Sequence, residues 1–194
     1  MRYDFIEIGT SNFDTLAEDL RRARGISVEP LGHLLSQVKV DPSNNVIKVC
    51  AALCEKSGHD FIWEVTEGDI EKYDLPSWVL SSSAIGKLNP NVERVFKEKD
   101  LCHSIIKQTK VETISWQHLF EFYTVSSVDK VKIDAEGMDC KIVGWLLDFL
   151  EKSKIALPRV LKFEARQEMT NKALLKETIA RLRGLGYETF REGN

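Results

Sequence analysis

Two short segments at distant points of the chain share one pattern, a buried strand that runs into a polar, acidic turn. The first reads Phe-Ile-Glu-Ile-Gly-Thr-Ser-Asn at residues 5–12, and the second reads Val-Lys-Ile-Asp-Ala-Glu-Gly at residues 131–137. In an open parallel sheet, ligands bind at the carboxyl ends of the strands. The pattern therefore predicts a site where Glu7, Asp134 and Glu136 surround a small ligand with hydroxyl or amino groups.

Alternating strand and helix patterns extend this prediction to the whole chain. In the first third, strands are expected at residues 3–8, 26–28 and 46–52, with helices at 13–24 and 31–40 between them. A βαβαβ order with short connections is typical of a doubly wound sheet. We expect an α/β, Rossmann-like fold with a mostly parallel sheet and helices on both faces, built as a single domain over residues 1–194.

The middle of the chain is less regular, and regularity returns after it. We expect an insertion near residues 58–110 on the substrate side of the fold, with an extra strand at 60–65 and a long loop at 74–92. A short strand at 111–114 and a helix at 116–122 follow. The remaining predicted elements are strands at 130–133, 159–163 and 187–190 and helices at 138–152 and 171–185. The sheet would then have about six main strands.

Composition excludes several classes of function. A net charge of −3, without a long basic run, gives no electrostatic case for nucleic-acid binding. No apolar stretch approaches the roughly 20 residues that a membrane span requires, and the first residues lead straight into a strand rather than a signal peptide. The four cysteines form no Cys-x-x-Cys pair. We interpret them as reduced, buried thiols of a cytoplasmic protein.

The turn after the first strand favours a ligand without a pyrophosphate. Gly9 lets the backbone approach a ligand closely, but Ser11 and Asp14 stand where a dinucleotide fingerprint has its later glycines. Glu7 suits an ammonium group or ribose hydroxyls better than a phosphate. Glu29 ends the second strand about 20 residues after the turn, where an acid can hold both ribose hydroxyls of an adenosine; the alternative is a solvated carboxylate.

These segments resemble the class I S-adenosylmethionine-dependent methyltransferases, and within them the FkbM family. The most specific match is Lys-Ile-Asp-x-Glu-Gly at residues 132–137, followed by Val-Glu-Pro at 28–30. The resemblance spans nearly the whole chain and also includes residues 5–10, 51–53, 128–131, 160–164 and 186–187. The family has a further glycine shortly after Gly9, where this chain has Asn12, Phe13 and Asp14.

The resemblance implies a methyltransferase fold, S-adenosylmethionine as cofactor, and O-methylation of a hydroxyl group, often on a sugar or glycan. The methionine half of the cofactor would lie along the turn after the first strand, the ribose at Glu29, and the adenine near the end of the third strand. Asp134 would stand beside the amino acid portion and the acceptor. The implied cofactor-binding residues are Glu7, Gly9, Thr10, Ser11, Asn12, Glu29, Pro30, Ala51, Ala52 and Asp134.

An alcohol acceptor must lose its proton, and a carboxylate can take it as general base. Asp134, Glu136 and Glu164 are the catalytic candidates, because all three lie at or just past strand ends. Two alternatives are open. Asp134 and Glu164 would share a Mg²⁺ that acidifies the hydroxyl, or Glu136 would only cap the following helix or pair with a lysine.

The acceptor pocket is expected in the insertion, where an aromatic face and hydroxyl groups suit a sugar. The substrate candidates are Trp78, Ser82, Ser83 and Lys132, with Ser81 and Asn89 nearby. The alternative is a polar surface loop with a packed tryptophan. The partner would be a small-molecule or glycan hydroxyl acceptor, and the chain would be one domain of a larger glycan-processing protein.

Two rival functions share the fold. A NAD-dependent oxidoreductase would use Glu29 in the same way, but the turn after the first strand has one glycine and no Tyr-x-x-x-Lys pair appears in the helices. A non-catalytic nucleotide-binding module would keep Glu7 and Glu29 and tolerate the loss of Asp134 and Glu164.

Overall fold

The chain forms two sheets and seven helices in the computed structural model, which describes residues 1–9, 15–80, 82–85, 88–165 and 171–191. The nine strands of this part are β1 (Arg2–Ile8), β2 (Arg24–Val28), β3 (Asn45–Val49), β4 (Ala52–Leu53), β5 (Gly58–Glu64), β6 (Ala84–Ile85), β7 (Lys107–Ile114), β8 (Ser127–Ile133) and β9 (Val160–Phe163). Its α-helices are α1 (Leu16–Asp19), α2 (Gly32–Gln37), α3 (Glu67–Lys72), α4 (Pro90–Glu98), α5 (Trp116–Phe122), α6 (Asp139–Ser153) and α7 (Lys172–Gly184). Short 3₁₀ turns occur at Ser77–Val79 and His103–Ile105.

The main sheet has five parallel strands in the order β3-β2-β1-β8-β9. After β1 the chain builds the sheet outward through β2 and β3, and it later returns to the other side of β1 with β8 and β9. Ligands in open α/β sheets bind where the strand order reverses in this way. The architecture is thus α/β, a parallel sheet flanked by helices, and it is compatible with a Rossmann-like fold.

Successive residues of β1 point to opposite faces of the sheet, and each face packs against different helices. Ile6 and Ile8 belong to the main core, which α5, α6 and α7 cover. Phe5 packs on the other face with Ala17 of α1 and Leu35 of α2. The apolar side chains of α6 recur at helical spacing and form one buried stripe against the sheet, with Ile142, Val143, Leu146, Leu147 and Leu150.

The segment between β3 and β8 forms the second sheet, in the order β4-β7-β5-β6. It has its own cluster of buried side chains, here called the insertion core, made by Val65, Leu75, Val79, Leu88, Val92, Val95 and Phe96. A further apolar cluster joins Ile62 of β5 to Leu34 of α2. The second sheet is therefore packed onto the side of the main sheet where β2 and β3 end.

Two elements differ from the sequence-based predictions in the middle and at the start of the chain. The region 74–92 is not one long loop, because it contains a 3₁₀ turn, β6 and the first turn of α4. Asn89 caps α4 and Pro90 occupies its first position, a combination that favours a helix start.

Helix α1 ends at Asp19 rather than near residue 24, since Arg22 has a φ of 55° and Arg24 already begins β2. Residues 13 and 14 lie outside the described part.

The predicted sixth strand of the main sheet at 187–190 is wrong, because these residues form no strand. Gly186 has a φ of 91°, and the N–H of Tyr187 donates back to the carbonyl of Leu182. This turn closes α7 instead of starting a strand, and the Tyr187 hydroxyl donates to the Pro158 carbonyl. The helix predicted at 116–122 is confirmed as α5.

Within the described ranges, the helices are too short or too polar to cross a lipid bilayer.

All four cysteines are free thiols, of which Cys140 is buried, Cys54 partly buried, and Cys50 and Cys102 exposed. The interpretation of every cysteine as a buried residue is therefore wrong for the two exposed ones.

Candidate functional site

A cleft opens at the carboxyl ends of β1, β2 and β8, where the order of the main sheet reverses. The space between its lining atoms, with the open solvent at its mouth included, is about 730 Å³. Eight of the predicted site residues line it, namely Gly9, Glu29, Pro30, Ala51, Ala52, Ser83, Asp134 and Glu136. The cleft therefore brings together the two segments that the sequence pattern singled out.

Glu29 is held in this cleft by the backbone around it. Its N–H donates to the carbonyl of Val49 at 3.0 Å, and its Oε1 accepts the N–H of Leu31 at 3.0 Å. Only 6% of the residue is exposed. Burial, with the negative charge of Glu29 as a second cause, raises the pKa of the nearby Cys50 thiol. A fixed carboxylate at the end of β2 is suited to accept hydrogen bonds from paired hydroxyls.

Gly9 and Asp134 bring the tips of β1 and β8 into direct contact. The N–H of Gly9 donates to Val28, and the N–H of Asp134 donates to Ile8, both at 2.9 Å. Gly9 has a φ of 73°, and a Cβ there would lie 1.8 Å from the carbonyl oxygen of Asp134. This position therefore requires glycine for the close approach of two strands as well as for its backbone conformation.

The apolar lining of the cleft was largely missed by sequence analysis. One wall comes from α2 and the β3–β4 region, where Leu34 and Leu53 accompany the predicted Ala51 and Ala52. The opposite lining includes Ile62, Ala84 and Ile85 of the second sheet, together with Met138 and Ile142. Ile62 could have been identified from its place in the predicted extra strand. Strand β6 has only two residues, which is too few to show the alternating apolar pattern of a strand.

Glu136 is fixed by a side chain from the insertion. The Nδ2 of Asn89 donates to Glu136 Oε2 at 2.8 Å, and Asn89 is only 2% exposed. Helix α6 begins at Asp139 with Met138 in the capping position and no side-chain capping bond. The Glu136 carboxylate is thus tied to the insertion, and Met138 occupies the capping position of α6.

Asp139 is a buried acid that sequence analysis did not single out. Its Oδ1 accepts the N–H groups of Ala135 and Glu164, each at 3.3 Å, and its Oδ2 accepts that of Gly137 at 3.2 Å. Burial raises the pKa of Asp139 to about 7, and the charges of Asp134 and Glu164 act in the same direction. One carboxylate thus organises the backbone that carries all three predicted catalytic acids.

Glu7 and Lys132 are neighbours on the sheet, and neither is among the described residues that line the cleft. Lys132 Nζ lies 3.4 Å from Glu7 Oε1, and both side chains are buried. The N–H of Leu16 at the start of α1 donates to both carboxylate oxygens of Glu7. Glu7 is therefore directed toward α1, on the face opposite Ile6 and Ile8, because side chains alternate along β1.

The other substrate and catalytic candidates occupy different places. Trp78 is 40% exposed in a 3₁₀ turn and accepts the Ser82 hydroxyl through its carbonyl. Glu164 follows β9, which pairs with β8 as the sequence predicted, and its N–H donates to the carbonyl of Ile133 as well as to Asp139. None of these three is among the described lining residues of the cleft. Thr10, Ser11, Asn12 and Ser81 lie outside the described part of the chain.

The lining of the cleft contains groups that suit an adenosyl ligand. It offers a buried carboxylate at the end of β2, an apolar wall and carboxylates near the tip of β8. Across residues 1–9, 15–80, 82–85, 88–165 and 171–191, no cluster of three His, Cys, Asp or Glu side chains could hold a metal ion. The Mg²⁺ site at Asp134 and Glu164 stays a prediction.

Comparison with known proteins gives no relative for this chain. No family model matches it, no curated protein matches it, and no solved structure matches it. The function is therefore argued from the site itself.

Proposed function

We propose that the chain is an S-adenosylmethionine-dependent O-methyltransferase that acts on a hydroxyl group of a sugar or glycan. The observation that carries the proposal is that Glu29, Gly9 and Asp134 line one cleft at the reversal point of a parallel sheet. The resemblance of residues 28–30 and 132–137 to the FkbM methyltransferases supports the same function. Glycan acceptors are the part of the proposal that depends on this resemblance alone.

The cleft contains groups suited to each part of the cofactor. Glu29, fixed by the Leu31 N–H, would accept hydrogen bonds from the ribose hydroxyls, and Ala51, Ala52 and Leu53 offer an apolar surface to the purine. The amino acid portion would lie toward Gly9 and Asp134. When bound, the cofactor would supply a methyl group on a sulfonium sulfur. The sulfur, as a thioether, is already a good leaving group.

The protein's own tasks are to align the acceptor and to remove its proton. Alignment at near-attack distance can contribute about 7–11 kcal/mol to lowering the barrier. Asp134 lies at the tip of β8 in the cleft lining, so it would accept the proton of the acceptor hydroxyl as general base. The lining residues Ser83, Ile62 and Ile85 would contact the acceptor from the second sheet.

Calorimetry with S-adenosylhomocysteine and with NAD tests the cofactor class. We expect S-adenosylhomocysteine to bind and Glu29→Ala to weaken it by about 1–3 kcal/mol, because a charged hydrogen-bond acceptor is lost. Glu71→Ala, an exposed acid on α3, is the matched control and should bind as the wild type does. Binding of NAD with no binding of S-adenosylhomocysteine would favour the oxidoreductase.

Transfer from a radiolabelled methyl donor to a panel of sugars and glycosides tests the reaction. We expect label in a hydroxylated acceptor and a strong loss of transfer in Asp134→Asn, which keeps the shape of the side chain but cannot accept the proton. Tight binding of S-adenosylhomocysteine without transfer to any hydroxylated compound would favour a non-catalytic nucleotide-binding module instead.

A further inference from the structure

Asn89 uses both ends of its amide for different tasks. Its Oδ1 accepts the N–H of Asn91 at 2.9 Å and so caps α4, while its Nδ2 donates to Glu136 Oε2 at 2.8 Å. The cap fixes the orientation of the amide, because only the oxygen can accept a backbone N–H. The nitrogen must then face Glu136.

The two partners belong to different parts of the fold. Helix α4 is anchored in the insertion core through Val92, Val95 and Phe96, and Asn89 follows β6 by only a few residues. Glu136 lies in the turn between β8 and α6, where its φ is 48° and that of Gly137 is 93°. A left-handed conformation at a non-glycine residue persists only where its surroundings fix it. Asp139 holds the backbone on both sides, and Asn89 holds the side chain.

Resting on the proposed function, we propose that Asn89 is a positioning residue that acts through Glu136. Their hydrogen bond holds Ser83, Ala84 and Ile85 of the second sheet against the tips of β1 and β8, and so shapes the acceptor side of the cleft. Glu136 is the anchor of this contact, and Asp134 is the base. Two of the three catalytic candidates thereby acquire different tasks.

Three variants separate the hydrogen bond from the helix cap. Asn89→Asp and Asn89→Ser both keep a good capping oxygen. The aspartate has no donor and adds a like charge, and the serine hydroxyl is on a side chain one bond shorter than the amide, so it does not reach Glu136 as the amide nitrogen does. The double variant Asn89→Asp/Glu136→Gln reverses donor and acceptor, so that the glutamine amide donates to the new carboxylate. Asn171→Asp, a change at the cap of α7, is the matched control for altering a helix cap.

Two readouts are required. Hydrogen exchange of the backbone amides at residues 82–85 and 88–98 reports whether the second sheet is held in place, whether or not the protein has any activity. In both single variants we expect exchange to be about tenfold faster and kcat/KM for the acceptor to fall about tenfold, the usual effect of losing a charged hydrogen bond. The double variant should recover most of both losses, and Asn171→Asp should show neither.

Each failure has a distinct meaning. Unchanged exchange in Asn89→Asp and Asn89→Ser would overturn the proposal, because the contact would then hold nothing. Restored exchange in the double variant without restored kcat/KM would also overturn it, because the Glu136 carboxylate itself would then be needed for the reaction. If the wild type binds no S-adenosylhomocysteine and methylates nothing, the proposed function fails, and the exchange measurement still decides whether Asn89 positions the second sheet.

Discussion

The carboxylate of Asp139 accepts a hydrogen bond from the backbone N–H of Glu164, with Oδ1 3.3 Å from the nitrogen. The same side chain binds the N–H groups of Ala135 and Gly137. It therefore joins the end of β8 to the end of β9 from a position at the start of α6. This arrangement is costly for an ionised group, since burial raises the pKa of Asp139 to about 7 from an ordinary value of 3.8.

The first prediction concerns the pH dependence of stability. Folding raises the pKa of Asp139, so the folded chain binds the proton more tightly than the unfolded chain does. This difference stabilises the folded state, and the whole contribution is present below about pH 4. The contribution is lost as pH rises through about 7. We expect the free energy of unfolding of the wild type, relative to Asp139→Asn, to fall by about 2–3 kcal/mol between pH 5 and pH 8.

Urea unfolding of both proteins across this range measures the difference, and comparison with the variant cancels the titration of other groups. Asp148→Asn, a change at an exposed acid on the same helix, serves as the control. Its free energy of unfolding should vary with pH as that of the wild type does. Parallel curves for Asp139→Asn would mean that Asp139 ionises in the folded protein as it does in the unfolded chain.

The buried pair of Glu7 and Lys132 gives the second prediction. Lys132→Met would remove the cation that lies 3.4 Å from the buried Glu7 carboxylate, and loss of one partner of a buried pair costs about 3–5 kcal/mol. Glu7→Gln/Lys132→Met should recover much of this loss, because the carboxylate is neutralised together with the cation. Lys110→Met, at an exposed position of β7, should change the free energy of unfolding little. A single variant as stable as the double variant would contradict the prediction.

Gly9 gives the third prediction. We expect Gly9→Ala to lower the melting temperature and weaken S-adenosylhomocysteine binding together, because its Cβ would lie 1.8 Å from the carbonyl oxygen of Asp134. Gly144→Ala is the matched control. A Cβ added at this position would have no atom within 4 Å beyond its own helix, and alanine inside a helix is favoured over glycine by about 0.5–1 kcal/mol. Thermal unfolding and calorimetry measure both effects. Wild-type behaviour of Gly9→Ala would show that the strand tips separate easily.

Ser27 gives the fourth prediction. Its hydroxyl is fully buried between the main-sheet neighbours Glu7 and Lys48 and has no hydrogen-bond partner in the described structure. An unsatisfied buried polar group costs free energy, so Ser27→Ala should leave the protein as stable or about 1 kcal/mol more stable. Ser82→Ala, which removes a hydroxyl bonded to the Trp78 carbonyl, should destabilise it by a similar amount. Chemical denaturation tests both, and a clear loss of stability in Ser27→Ala would reveal a partner for that hydroxyl.

The sequence predicted the main sheet better than the second one, for a physical reason. The last three residues of β1 and of β8 are buried on both faces, and each strand runs into a polar turn that the sequence shows clearly. Strand β6 has two residues and α3 has six, too few for a periodic pattern to appear. The start signal of α4, Asn89 followed by Pro90, was present in the sequence, but the surrounding Ser, Asn and Gly residues made the region resemble a loop.

The site, too, could be predicted only in part from the sequence. Glu29 and Asp134, selected for their position at strand ends, both line the cleft. That position did not determine the face of the sheet, and Glu7 instead binds the first N–H of α1. Asp139 was missed because an acid in the first turn of a helix is ordinary in sequence, whereas its role depends on the backbone of β9, which lies 25 residues further along the chain.

The pairing of β1 with β8 has a consequence for synthesis of the protein. Arg2 pairs with Ser127 and Ile8 pairs with Ile133, so during synthesis β1 lacks this neighbour until the chain has been made as far as residue 133. Contacts between such distant positions are slow to form, and an edge without its partner invites aggregation in the meantime. Until β8 joins it, β1 is therefore covered by β2 on one side only, and the cleft can form only after that.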